Sequence, residues 1–351
     1  MTGADAAFAA VQAAFERAAA RPGTPLFDAS YHFAGRPVRL RIAGARLAPQ
    51  LAAVWAHLEA PPVAAPTLRI DLWDEAESGV AAPPLPDGAG GAGAAEHRVL
   101  ELSPDARFLH HVRPAMRVCL DRQRAHLVGC AERADALSLN ERGRPLHLGL
   151  SLWLRDHGVQ VVHAGLVALD GVGVLLGGSG GAGKSTSSIA CALGGFAYLG
   201  DDSVGIEEHA DGSFTGHSLY GSTSFDPHHL ARLPPLPGRT LIGSLPGEDK
   251  HVVLLSGTDG VRLGRHAPIR ALVLPRVAGG PATRLRQAAK GEALRTITPS
   301  SLLAMLPRPG RDGFERLARL TARLPCYWLE LGEEISEVPA RMRELLSEIR
   351  P

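Results

Sequence analysis

The chain has 351 residues, enough for two domains or one large one, and its 45% apolar and 21% charged fractions fit a globular protein with a true core. Its 37 Lys and Arg against 36 Asp and Glu leave a formal net charge of +1, which excludes a broad field for nucleic acid or an anionic membrane. Cys119, Cys130, Cys191 and Cys326 lie far apart with no C-x-x-C or Cys/His metal spacing, so they are expected as reduced, buried thiols of a cytoplasmic protein.

The alanine-rich run from Ala6 to Ala20 holds Glu16 and Arg17 and lacks a long apolar stretch, so it predicts an amphipathic surface helix and not a signal peptide. No segment approaches the roughly 18 apolar residues of a membrane span. Tyr31 to Ala43 predicts a hairpin turning at Gly35-Arg36-Pro37. Leu47 to Leu58 has helical spacing, with Leu51, Val54, Trp55 and Leu58 on one face. Strands are predicted at Leu68 to Trp73, Val99 to Leu102, Met116 to Leu120 and Ala125 to Val128. The Pro/Gly/Ala-rich stretch from Ala81 to Ala95 predicts a loop. This first part is expected to be a small α+β domain spanning 1–140, a candidate for substrate recognition, with a boundary near 131–145.

A second domain is expected over 141–351. Leu146 to Asp156 predicts a helix. Val159 to Leu169 and Val172 to Leu176 are apolar, β-branched runs that read as buried strands. A helix over Lys184 to Leu193 follows a glycine-rich turn, and a short strand at Phe196 to Leu199 ends at Asp201-Asp202. Further strands are predicted at Ser203 to Glu207, Val252 to Leu255 and Arg270 to Val273. Helical patterns at Pro299 to Met305, Phe314 to Leu324 and Val338 to Ile349 follow. The fold class is α/β.

The chemistry sits between these elements. Gly178-Ser179-Gly180-Gly181-Ala182-Gly183-Lys184-Ser185 matches the P-loop pattern G-x-x-x-x-G-K-[S/T], with a buried strand before it and a helix after it. The glycines let backbone N–H groups curl around phosphate oxygens, and the helix directs its positive end at them. Lys184 is expected at the β- and γ-phosphates, and Ser185 on Mg²⁺. The alternative is a glycine-rich turn that binds nothing. Asp201 and Asp202 form the second feature: a metal ligand and a base for a substrate hydroxyl, or a solvated turn. Parallel strands placed side by side would bring this pair to the P-loop. His163 is the third feature; a lone His in an apolar run is otherwise a satisfied core residue.

From His163-Ala164-Gly165-Leu166-Val167, through the P-loop, to Asp201-Asp202-Ser203-Val204, the sequence resembles the HPr kinase/phosphorylase family without a gap. His163 lies 21 residues before Lys184, and Asp202 lies 18 after it, offsets similar to the family's. The resemblance covers a small part of the chain. It implies a nucleotide-binding core of the phosphoenolpyruvate-carboxykinase type and ATP- and Mg²⁺-dependent phosphorylation of a serine hydroxyl. It implies Asp202 as base, His163 in the active site, Asp201 supporting the metal or the base, and Gly178 to Thr186 holding the nucleotide. It also carries the expectation of a homo-oligomer, which no residue addresses.

The sequence departs from that family. Thr186 stands where the family usually has Glu. The Arg-Gly-Leu-Gly segment with its preceding metal-binding Glu has no counterpart; the nearest stretch runs from Gly216 to Asp226, which makes Asp226 a candidate ligand. A Val-Arg-Pro-Gly-Arg-like segment is also lacking. These departures argue against HPr as acceptor and favour a peptide or small protein, such as a ribosomally made lasso precursor. A small-molecule kinase and a non-catalytic nucleotide-binding regulator stay open. Lys250 is a weaker candidate for closing over the site. So are Arg262, Arg265, His266 and Arg270 as a basic cluster, His228-His229 as metal ligands, and Leu233 to Gly238 as a docking segment; ordinary surface roles account for each.

Overall fold

The computed structural model describes residues 3–84, 98–101, 103, 106–225, 236–242, 251–303 and 311–349. The chain divides into two compact units, Met1–Trp153 and Leu154–Pro351.

The first unit opens with α1 (Gly3–Ala19), which buries Phe8, Val11, Phe15 and Ala18 at helical spacing. These side chains pack on Trp73, Phe108, Val128 and Cys130 of a mixed sheet. The sheet holds β1 (Leu26–Phe33), β2 (Arg36–Ala43), β3 (Glu59–Ala60), β4 (Leu68–Asp74), β5 (Arg98–Glu101), β6 (Phe108–Val112), β7 (Met116–Asp121) and β8 (His126–Ala131), in the order β3-β1-β2-β4-β8-β7-β6-β5. The β1–β2 hairpin turns at Ala34-Gly35, both with positive φ, so Arg36 and Pro37 belong to the strand instead of the expected turn. The Leu47-to-Leu58 helix is α only over α2 (Leu47–Ala52), and a 3₁₀ segment completes it. Inside the sheet Asp71 is almost fully buried. It accepts hydrogen bonds from Arg41 at 2.8 and 2.9 Å and from His126 Nε2 at 2.7 Å.

The division between units falls later than the 131–145 segment. Asp74 Oδ2 accepts the Ala134 N–H at 2.9 Å. After α3 (Glu75–Ser78), the short α4 (Leu139–Gly143) is held by a capping box between Ser138 and Glu141. Arg113 pairs with Glu141 at 3.1 Å, and Gly149 in α5 (His147–Asp156) packs on Leu127. These contacts tie the segment to the first sheet.

The second unit is a mixed α/β layer structure. Its large sheet runs β18 (Arg262–Leu263), β12 (Ala197–Gly200), β10 (Ala164–Leu169), β11 (Val172–Gly177), β19 (His266–Val277), β14 (Phe214–Ser218), β13 (Val204–Glu208), β9 (Val159–Val162). At its other end β19 pairs with β21 (Cys326–Leu331), which pairs with β20 (Arg284–Gln287). Alternation along the central strands divides the core. Val174, Leu176, Ala271 and Val273 meet one cluster with α6 (Lys184–Leu193) and α9 (Glu337–Ile349). Leu175, Leu272 and Leu274 meet the other, with α7 (Lys290–Thr298) and α8 (Arg311–Arg323). Each fully buried side chain of this size contributes about 1.5–3 kcal/mol. A small sheet of β15 (Ser222–Phe225), β17 (His251–Leu254) and β16 (Thr240–Ile242) packs Phe225 and Val253 against Ile189 of α6.

Three expectations are corrected here. The run from Val159 to Leu169 is two strands that break at His163, because β9 pairs with β13 whereas β10 pairs with β11 and β12. The strands preceding the P-loop and the Asp pair are not side by side; antiparallel β10 lies between them. The helix expected from Pro299 starts earlier, as α7, and continues through a π turn over Pro299–Leu303. Asp226, His228, His229, Lys250 and the 233–235 part of the proline-rich segment lie outside the described residues. No helix among the described residues is long and apolar enough to cross a membrane.

Candidate active site

The antiparallel β10 carries the geometry. Ala164 pairs with Gly177 and Leu166 with Gly200, so the start of β10 and the ends of β11 and β12 lie together at one end of these neighbouring strands. His163 precedes the first of these residues, the P-loop follows the second, and Asp201-Asp202 follows the third. One sheet register thereby gathers all three sequence features.

His163 Nδ1 lies 3.0 Å from Asp202 Oδ1, with both side chains about three-quarters covered. The loop curls through Gly178, Gly181 and Gly183, which have φ of 147°, 76° and 102°. At Gly183 the left-handed backbone favours glycine, and a Cβ would lie 2.4 Å from Leu331 Cδ1, so that side chain would have to turn aside. Gly165 lets α6 approach β10, since a Cβ there would meet Ser188 Oγ at 2.5 Å. Lys184 opens α6, is buried, and donates from Nζ to the carbonyls of Gly178 (2.9 Å) and Ser179 (2.8 Å). Burial lowers its pKa to about 8, against the pull of the Asp201 charge.

The Asp pair divides by role. Asp202 faces a cleft of 430 Å³ together with His163, Gly180, Gly181, Lys184, Ser185 and Thr186. Asp201 is set behind that wall, buried, and accepts a 2.5 Å hydrogen bond from Thr223 Oγ1. Tyr198, wholly buried beside it, donates to the Ser222 carbonyl at 2.9 Å, and burial and then the Asp201 charge push its hydroxyl pKa well up.

Sequence reasoning missed much of the cleft. Ser224 and Phe225 line it, and Thr223 supports Asp201; all three fall in the Gly216-to-Asp226 stretch singled out only for a metal ligand. Val277 of β19, Leu331 of β21, Ile335 just before α9 and Val338 in its first turn also line the cleft. The alternation of Tyr327, Leu329 and Leu331 before Gly332 is the signal that would have located that part of the cleft. Arg262, Arg265, His266 and Arg270 are exposed at β18 and the start of β19, whereas the cleft lies at the other end of that strand.

The donor set fits a nucleoside triphosphate: positive-φ glycines at a helix N-terminus, a buried lysine, and apolar side chains lining the same cleft as a carboxylate. Among the described residues no group of three or more His, Cys, Asp or Glu would hold a metal unaided. Mg²⁺ commonly takes only one or two protein ligands beside substrate phosphates. Ser185 in the cleft fits that demand, and Asp201 behind the wall fits an indirect part.

No protein-family model matches the chain, and no curated protein matches it in sequence. Among solved structures, the Hpr(Ser) kinase/phosphatase from Coxiella burnetii matches over 54% of this chain and 99% of its own, at 14% identity and a TM-score of 0.26. A likeness at that level carries no argument about chemistry, which rests on the geometry above.

Proposed function

We propose that this chain is an ATP- and Mg²⁺-dependent kinase that phosphorylates a serine-type hydroxyl on a peptide or small protein. The observation that carries the reading is the convergence of the P-loop with the His163–Asp202 pair at one end of three neighbouring strands. Bound Mg²⁺ supplies charge neutralisation at the phosphates. The loop amides and Lys184 hold the β- and γ-phosphates, and the α6 N-terminus adds its partial charge. Asp202 accepts the hydroxyl proton while the hydroxyl oxygen bonds to the γ-phosphorus. The bond from that phosphorus to the bridging oxygen breaks, and the nucleoside diphosphate leaves. His163 orients the carboxylate. Thr223 fixes Asp201 close enough for its charge to act on Lys184. Positioning and electrostatics supply most of such catalysis.

Transfer from γ-labelled ATP to serine-containing peptides tests this. Asp202→Asn is expected to bind nucleotide as the wild type does and to lose transfer by about 10²–10⁴-fold. Equal transfer by the variant would remove Asp202 as the base. Tight nucleotide binding without wild-type transfer to any acceptor would replace the kinase with a nucleotide-dependent regulator.

A further inference from the structure

We infer that the β20 edge, with its arginine-rich face, is the docking strand for an extended acidic peptide whose end enters the cleft. This rests on the kinase reading and specifies the acceptor class.

The last rung of the sheet before the cleft is Arg276, Glu330 and Arg284, paired across β19, β21 and β20. The next residues along, Val277, Leu331 and Thr283, line the cleft itself. Residues paired directly across strands share a face, so Arg276, Glu330 and Arg284 lie together, with Trp328 and Arg286 two residues away on that face. Arg276 pairs with Glu330 at 2.5 Å and lies over the Trp328 ring at 4.6 Å; Arg286 reaches the same carboxylate at 3.6 Å. The Trp328 indole donates to Glu292 at 3.3 Å, and Arg295 lies on the same helix, α7. Arg276, Arg284, Arg286 and Arg295 thus stand against Glu292, Glu330 and, at the Thr283 N–H, Glu337, which leaves an excess of one positive charge. Arg286 is 60% exposed and Arg276 40%.

The edge offers backbone partners as well. Among the described residues β20 pairs with β21 only. Ala288 donates its N–H to Cys326. By alternation, Arg286 and Arg284 also turn their backbone groups to β21, and those of Leu285 and Gln287 point outward. A strand that adds here hydrogen-bonds to the outward groups, and glutamates or aspartates at alternate positions meet Arg284 and Arg286. From Gln287 to Thr283 the edge spans about 13 Å at 3.3 Å per residue; the Thr283 N–H is taken by Glu337 Oε2 at 2.6 Å, so an added strand pairs with Leu285 and Gln287 and passes Glu337 to reach the cleft. An acidic acceptor matches this edge; a basic one is repelled.

The test uses the full chain and fluorescein-labelled peptides of alternating Glu and Val with one Ser near either end, against the same peptides with Lys for Glu. Anisotropy is expected to show salt-sensitive binding of the acidic peptides alone, weakened about tenfold or more in R284E/R286E. Nucleotide affinity of that variant, measured in parallel, is expected to stay unchanged and to report an intact fold. Equal binding of the acidic and the Lys peptides, or undiminished acidic-peptide binding by the variant, would overturn the docking strand. Transfer of label to serine peptides at equal rates by wild type and variant would also sink it and leave the kinase reading standing. Arginine-dependent binding without any transfer would support the docking strand and sink the kinase reading.

Discussion

His163 and Asp202 meet through a 3.0 Å contact although one closes the gap between β9 and β10 and the other follows β12. The contact exists because β10 runs antiparallel between the two strands whose ends carry the P-loop and the Asp pair. A side chain that orients a base acts on the chemical step more than on substrate binding. His163→Ala is therefore expected to lower kcat between about ten- and a hundredfold with nucleotide KM unchanged. His163→Gln, which keeps a donor, should recover part of the loss. Steady-state kinetics decide; a change confined to KM would remove the orienting role.

Lys184 gives the site a pH dependence. Burial holds its pKa at about 8, below the ordinary 10.5. Phosphate binding needs the ammonium, so nucleotide affinity should fall as pH rises through 8. Stability without nucleotide moves oppositely. Between pH 8 and 10.5 the unfolded chain holds this proton more than the folded one, so the lysine's contribution to stability rises with pH across that window. Lys184→Met should flatten both slopes. Calorimetric titration and urea denaturation across the window check this, and a wild-type affinity level through pH 9 would refute it.

Gly183→Ala places a methyl in a left-handed residue and against Leu331. The backbone strain alone costs about 1–3 kcal/mol. The loop should open and nucleotide affinity fall more than tenfold. Adding Leu331→Ala removes the overlap and leaves the strain, so the double variant should stay impaired. Wild-type affinity in the single variant would show that the loop tolerates the substitution.

In the first unit, burial alone raises the Asp71 carboxyl, and the hydrogen bonds from His126 and Arg41 more than reverse it, holding it below the usual carboxylate range. A depressed carboxyl stabilises the fold above its unfolded value and loses that contribution as pH falls through the folded value. The loss should therefore begin below about pH 4. Arg41→Leu leaves Asp71 buried with one fewer charge partner and should destabilise the unit by about 3–5 kcal/mol. Denaturant titrations at neutral and acid pH measure both; an Arg41→Leu protein as stable as wild type would show the pair to be dispensable.

Local pattern reached some elements closely. The α1 stripe of Phe8, Val11 and Phe15, the β4 run and the α6 start at Lys184 follow from side-chain period and glycine placement. The same reasoning lost β21, although Tyr327, Leu329 and Leu331 alternate, and it merged β9 with β10 across His163. A short apolar run carries no record of which partner strand it meets. The division within α5 was likewise hidden, because Asp74 binding Ala134 and Arg113 binding Glu141 are contacts between distant segments.

The sequence by itself determined Gly178 to Ser185 as a glycine-rich turn running into a helix at Lys184, the pattern of a phosphate-binding loop, because glycine positions and a helix start are local matters of backbone geometry. That His163 and Asp202 belong to the same site was implied only by the resemblance to the HPr kinase/phosphorylase family. Only the tertiary structure decided that Asp202 faces the cleft and Asp201 stands behind it on Thr223, and that Val277, Leu331, Ile335 and Val338 line the same cleft. Adjacent residues such as Asp201 and Asp202 share every local property. Which of them turns to the cleft and which to the core is settled by strand register and by the buried groups that wait on each side.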